Sequence, residues 1–201
     1  APFTHIVAIN NAWRLRSDWD VLICPDDFPE DRRPSSFGLG QHIVTSAEYV
    51  PIQNRFGGFV YAGGTMAFTA GYWALGALEP SVIAYLGCDM VYPKTGQSHF
   101  YGQGRADPLR QDISLRSLEA KSARLLLYGA RQNCLLVNLS KGKSRLVFPR
   151  AEPSELVLRV GRAIPRACAQ MAEIEALEKQ AGHFVKSGRY WHEQDRFDPA
   201  E

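Results

Sequence analysis

The stretch Gly63–Met90 reads GGTMAFTAGYWALGALEPSVIAYLGCDM, and it decides the fold class. It holds a glycine turn, a helix and a strand in immediate succession. Met66, Ala70, Trp73 and Ala77 recur at helical spacing between Thr65 and Leu78. Glu79-Pro80 ends that helix, because proline can neither donate an N–H nor fit inside the next turn. Ser81–Leu86 (SVIAYL) is apolar throughout rather than alternating, as a strand buried on both faces of a parallel sheet is. It stops at Gly87-Cys88-Asp89.

Further runs of the same kind lie on both sides. His5–Asn10 (HIVAIN), Asp20–Cys24 (DVLIC) and Cys134–Leu139 (CLLVNL) read as buried strands, and His42–Val50 as another β-like run. Ala12–Ser17 has room for only a turn or two of helix. Phe28–Gly40 is loop by its Pro, Gly, Ser and charge content. Asn54–Gly64 carries four glycines and leads into the helix already described. Met90–Gln111 is a long polar loop of the kind that often covers or builds a site. Asp112 is placed to cap a helix over 113–128, with Gly129 at its end. Beyond Phe148, residues 153–162 and 166–184 read as helix and 186–201 as a loose polar tail. Strands at 5–10, 20–24, 81–86 and 134–139 are expected in one largely parallel sheet. The fold class is α/β, Rossmann-like, a mainly parallel sheet flanked by helices, with a C-terminal helical extension. Residues 1–148 form the main domain, and 149–201 the extension packed on it.

Composition narrows the function. A chain of 201 residues that is 45% hydrophobic and 22% charged buries a core without disulfide staples. The net charge of +2 lacks the basic excess of a nucleic-acid binder, so no nucleic-acid partner is expected. No apolar run nears the ~20 residues of a membrane span, and no signal pattern opens the chain. Cys24, Cys88, Cys134 and Cys168 are far apart with no CxxC pair, which points away from a structural metal and toward a reducing, cytoplasmic setting.

In parallel sheets ligands gather beyond the carboxyl ends of the strands. Those ends carry Asn10-Asn11, Pro25-Asp26-Asp27, Gly63-Gly64-Thr65 and Gly87-Cys88-Asp89. Gly63, Gly64 and Thr65 lead into a helix whose N-terminal N–H groups and dipole favour an anion. Asp89 is a candidate for orienting hydroxyl groups. His99, within Ser98-His99-Phe100-Tyr101-Gly102, is the candidate general base, since an imidazole titrates near neutrality. Arg105 shares its loop and suits an anionic substrate. Each of these also has a plain reading as a turn, a cap or a solvated side chain.

The order of these segments resembles the bacterial lipooligosaccharide sialyltransferases and related sialyltransferase-like proteins. Val7–Ala12 (VAINNA) is similar to the strand whose last asparagine contacts the nucleotide-sugar donor. Val21–Asp26 (VLICPD) is similar to the next strand, with Pro25 kept and Cys24 where the family has asparagine. Gly63–Leu75 resembles the family's Ser-Gly turn and helix, and Tyr85–Tyr92 (YLGCDMVY) its Leu-Ser-Gly-Ile-Asp-Phe-Tyr stretch, with Gly87 and Asp89 in register. His99 matches the first histidine of the family's catalytic loop, while Gln103 stands at the second. The family's Gly-x-Gly-Pro-Ser loop would precede Ala1.

The resemblance implies transfer of a sugar from a CMP-sugar to a glycan hydroxyl, with 1–148 as the nucleotide-sugar-binding domain. It implies no metal and no cofactor. Asn10, Asn11, Pro25, Asp26, Gly63, Gly64, Thr65, Gly87 and Arg105 would bind donor or substrate, and His99 and Asp89 would be catalytic. Its partners would be the nucleotide-sugar and the glycan acceptor, and it leaves room for peripheral membrane contact and self-association. Two other expectations stand beside it. One is a pterin pyrophosphokinase-like enzyme, with Asp26, Asp27 and Asp89 facing magnesium and ATP. The other is a non-catalytic binding or assembly protein on the same scaffold.

Overall fold

The computed structural model describes residues 3–92, 99, 112–158 and 165–197. Among the described residues, five short strands pair, all in parallel. β1 (Val7–Ile9), β2 (Val21–Ile23) and β3 (His42–Val44) form one ladder in that spatial order. Val7, Val21 and His42 are in register, as are Ile9, Ile23 and Val44. β4 (Val82–Tyr85) and β5 (Leu135–Asn138) form a second ladder, running from Val82 opposite Leu135 to Tyr85 opposite Asn138. The expected parallel runs are present, but their backbone pairing is split in two. Ile83 of β4 meets the first ladder through side chains, packing on the same core cluster as Val7 and Ile9.

The helices are α1 (Ser46–Asn54), α2 (Phe59–Ala62), α3 (Met66–Ala77), α4 (Leu118–Arg131) and α5 (Pro165–Ala181). The β-like run from His42 divides after Val44. Thr45 and Glu48 form a capping box that starts α1, with the Thr45 N–H donating to Glu48 Oε1 at 3.4 Å. Asp112 caps a short 3-10 turn (Ile113–Leu115), not α4. Ser117, at φ 43°, breaks the chain, and its hydroxyl accepts from Ala120 N to start α4. Gly129 lies inside α4, where a Cβ would overlap Leu136 of β5, so its role is close helix–sheet contact. The left-handed residue past that helix is Asn133, at φ 59°.

α3 sits at the centre, and every residue from Phe68 to Leu75 is buried. Ala70, Trp73 and Ala74 pack on Val21, Ile23 and Val44 of the first ladder. Phe68, Tyr72 and Leu75 belong to the larger core with Tyr85, Leu125, Tyr128 and Leu136. The opposite face of the first ladder, with Ala8 and Leu22, is covered by Trp19 and Trp13 instead of a helix.

The C-terminal part is locked onto this frame. Arg124 is buried, and its guanidinium donates to Glu178 of α5, to Tyr72 Oη at 2.9 Å and to Phe56 O at 2.7 Å. Glu175 Oε1 accepts from Tyr128 Oη and Arg131 Nη1, both at 2.8 Å. The tail expected to be loose is docked up to Phe197. Val185, Tyr190 and Phe197 are buried with Val60.

Candidate functional site

One residue past the aligned strand ends, Asn10, Cys24 and Thr45 stand side by side at the carboxyl edge of the first ladder. Asn10 is left-handed at φ 51°, a conformation asparagine tolerates better than most residues, and it turns the chain into a 3-10 segment (Asn10–Leu15). That turn buries Asn11, which is 4% exposed. The side-chain oxygens of Asn10 and Asn11 are buried and accept no hydrogen bond from the described residues. An unmade bond of this kind costs about 1–3 kcal/mol, so each is a position that would gain from a donor; Gln53, Asn54 and Thr69 carry buried side-chain atoms of the same kind elsewhere in the fold.

The neighbouring positions are occupied. Cys24 is buried, and burial pushes its thiol above its ordinary pKa, which disfavours the thiolate. The Pro25 carbonyl accepts from Phe28 N at 3.0 Å in a tight turn. The Asp26 carboxylate accepts from Ser46 Oγ at 2.6 Å and Ser46 N at 3.3 Å, at the N-terminus of α1.

The glycine turn before α3 is packed, not open. A Cβ on Gly63 would stand 2.6 Å from the Phe68 ring and 3.0 Å from Lys121 Cδ. One on Gly64 would overlap Ser114 Oγ and lie 3.0 Å from Tyr190 Oη. Tyr190, Ser114 and Asp112 are hydrogen-bonded together, with Tyr190 Oη 2.9 Å from Asp112 Oδ2 and Ser114 Oγ 2.6 Å from Asp112 Oδ1. Thr65 caps α3 by accepting from Phe68 N at 3.2 Å, and its hydroxyl donates to Met90 Sδ at 3.8 Å. That last contact brings the start of α3 to the chain leaving β4. The N–H groups of Met66 and Ala67 donate to no acceptor among the described residues.

At the edge of the second ladder, Gly87 is left-handed at φ 71° and its N–H donates to Ser140 Oγ at 3.1 Å. Asp89 Oδ1 accepts from Asn138 Nδ2 at 3.1 Å and lies 3.9 Å from Arg150 Nη1. Partial burial opposes its ionisation, but hydrogen bonds from Ser144, Asn138 and Ser140 and the Arg150 charge outweigh this and hold the carboxyl below its ordinary pKa. Asp89 therefore anchors the loop after β5. His99 is half-buried, 5.5 Å from the Tyr92 ring centroid, and burial lowers its pKa, which favours the neutral imidazole a base needs. Arg105 lies outside the described residues.

Sequence reasoning did not single out Lys121. Its Nζ donates to Val60 O at 2.6 Å, and its pKa is pushed down to about 8 by burial and by Arg124. Nor did it single out the Asn138, Ser140 and Ser144 side chains around Asp89. The signal available was the polar Asn-x-Ser end of β5, which repeats the pattern seen at the other strand ends. Among the described residues no group of three or more His, Cys, Asp and Glu is placed to share a metal ion, and no helix is long and apolar enough to cross a membrane. No family model, curated protein or solved structure matches this chain.

Proposed function

We propose that the chain is a glycosyltransferase of sialyltransferase-like type, built on a Rossmann-like α/β frame, that transfers a sugar from a CMP-sugar to a glycan hydroxyl. The observation that supports it is the pair of buried, unpartnered acceptors, Asn10 Oδ1 and Asn11 Oδ1, at the carboxyl edge of a parallel ladder. Nucleotides carry the matching donors in ribose hydroxyls and the base amino group. The anionic phosphate is assigned to the Met66 and Ala67 N–H groups in the first turn of α3, because protein side chains fill the space over Gly63 and Gly64.

His99 takes the proton of the acceptor hydroxyl. That oxygen attacks the anomeric carbon, the bond from that carbon to the phosphate oxygen breaks, and CMP leaves. Asp89 acts by fixing the loop at the strand ends. The reading is metal-independent and cofactor-free, with a cytoplasmic setting and a glycan partner. Asp26 and Asp89, which an ATP–magnesium enzyme would turn to the metal, instead accept from Ser46 and Asn138.

A thermal-shift panel tests this. CMP at a hundred times its dissociation constant stabilises by about 2.7 kcal/mol, which for a chain of this size raises Tm by roughly 5–10 °C. A shift with ATP and magnesium alone would favour the pyrophosphokinase-like alternative. Silence with every nucleotide would leave a non-catalytic scaffold.

A further inference from the structure

The segment Ser140–Arg145 (SKGKSR) lies beyond β5 and has no ligand role in the reading above. Its Gly142-Lys143-Ser144 repeats the glycine–lysine–hydroxyl ending of a phosphate loop. Val137 stands where such a loop has its first glycine, and the residues after Ser144 are not helical, so only the local chemistry is shared.

That chemistry is set up by the backbone. Arg150 Nη1 donates to Ser140 O, and Arg150 Nη2 donates to Gly142 O at 2.6 Å, so two loop carbonyls turn onto one guanidinium. Both ends are pinned, Ser140 N to Asn138 Oδ1 at 2.8 Å and Arg145 N to Asp89 O at 2.9 Å. Between the pins, the N–H groups of Lys141, Gly142, Lys143 and Ser144 donate to no acceptor among the described residues. With carbonyls held to one side, successive free amides form an anion-receptive surface.

The one carboxylate hydrogen-bonded to the Ser140–Ser144 loop among the described residues, Asp89 on the Ser140 and Ser144 hydroxyls, is met by Arg150 at 3.9 Å, and the remaining charge along this segment is basic. Lys141, Lys143, Arg145 and Arg150 fall within ten residues that contain no acid. Arg145 is neutralised by Glu119 at 2.7 Å and Lys141 is loosely paired with Glu152 at 3.4 Å, while Lys143 is exposed and has no ion pair among the described residues. Apart from its chain neighbours, no heavy atom of the described residues lies within 4 Å of a Cβ built on Gly142.

We propose that the Ser140–Ser144 loop is a phosphate site, contacted by its amides and by the Lys141 and Lys143 ammonium groups. The ligand chemistry is a phosphate mono- or diester, free or on a lipid headgroup. It does not depend on Asn10 and Asn11, so it stands or falls apart from the nucleotide site.

The test follows backbone amide resonances of the full chain at low salt during titration with inorganic phosphate. In parallel, the protein is sedimented with phosphatidylcholine vesicles with and without phosphatidylglycerol. Saturable shifts at residues 141–144 are expected, weakened about tenfold in Lys141→Ala/Lys143→Ala, given the modest worth of each exposed charge. Both side chains are on the surface, so the double variant keeps its fold, and Asn10→Gly leaves the response unchanged. Vesicle binding that needs phosphatidylglycerol and both lysines, without a response to free phosphate, assigns the site to a lipid headgroup. No response in either arm, or one untouched by the double variant, overturns the proposal.

Discussion

At Gly71, two effects of a single methyl group oppose each other. Glycine inside a helix costs about 1 kcal/mol relative to alanine, so Gly71→Ala should stabilise α3 on propensity alone. A Cβ there would overlap Tyr85 Oη and lie 2.8 Å from Leu125 Cδ2. Tyr85 is held, because its hydroxyl donates to Ala67 O at 3.2 Å and its ring packs on Phe148. Overpacking of a held side chain costs about 1–3 kcal/mol, so the clash wins. Urea unfolding of Gly71→Ala should show a net loss of stability. A gain would mean that β4 and α3 are not in the contact described. At this scale the chain was only partly readable. The glycines at 63, 64, 71 and 129 look alike in sequence, and the first pair was read as an anion cradle. What each glycine makes room for depends on distant residues such as Ser114, Tyr190 and Leu136, which no local pattern specifies.

At the scale of elements, the stop at Pro80 and the buried runs were readable because proline and uninterrupted apolar stretches act locally. The division at Thr45 was equally local, since Thr-x-x-Glu is a helix start, but the apolar His42–Val50 run masked it. Docking of the tail was not readable, because it depends on Tyr190 reaching Asp112 across 78 residues of sequence.

Lys121 makes the junction of α4 and α2 titratable. Its pKa falls from 10.5 in the unfolded chain to about 8 in the fold. Between these values the unfolded chain holds a proton that the folded chain has released, so stability rises with pH there. Below about 8 both states are protonated, and the cost of the buried charge is fully present. The stability of the native protein minus that of Lys121→Met should rise between about pH 8 and 10, at up to about 1.4 kcal/mol per pH unit. Chemical denaturation at several pH values measures it. A flat or falling difference would show that the ammonium is not buried beside Val60 O.

For the whole molecule, the parallel α/β class was legible, but the break between the two ladders was not. Hydrogen-bonded neighbours are chosen by strand register, and strands of three or four residues carry little register information. The candidate site was legible where it falls at strand ends. Asn10 and Asn11 lie at the end of β1, as read from the sequence, and whether they bind a nucleotide is what the proposed function puts to the test. Titration calorimetry of CMP against the native protein, Asn10→Gly and Asn11→Ala tests this most directly. Asn10→Gly keeps the left-handed backbone at no steric cost and removes only the carboxamide. The native protein should bind one CMP, and each variant should bind it at least about tenfold more weakly, matching roughly 1.4 kcal/mol for a lost buried hydrogen bond, with no loss of its own stability. CMP binding with equal affinity to all three proteins, or to none, would contradict a nucleotide site at the end of β1.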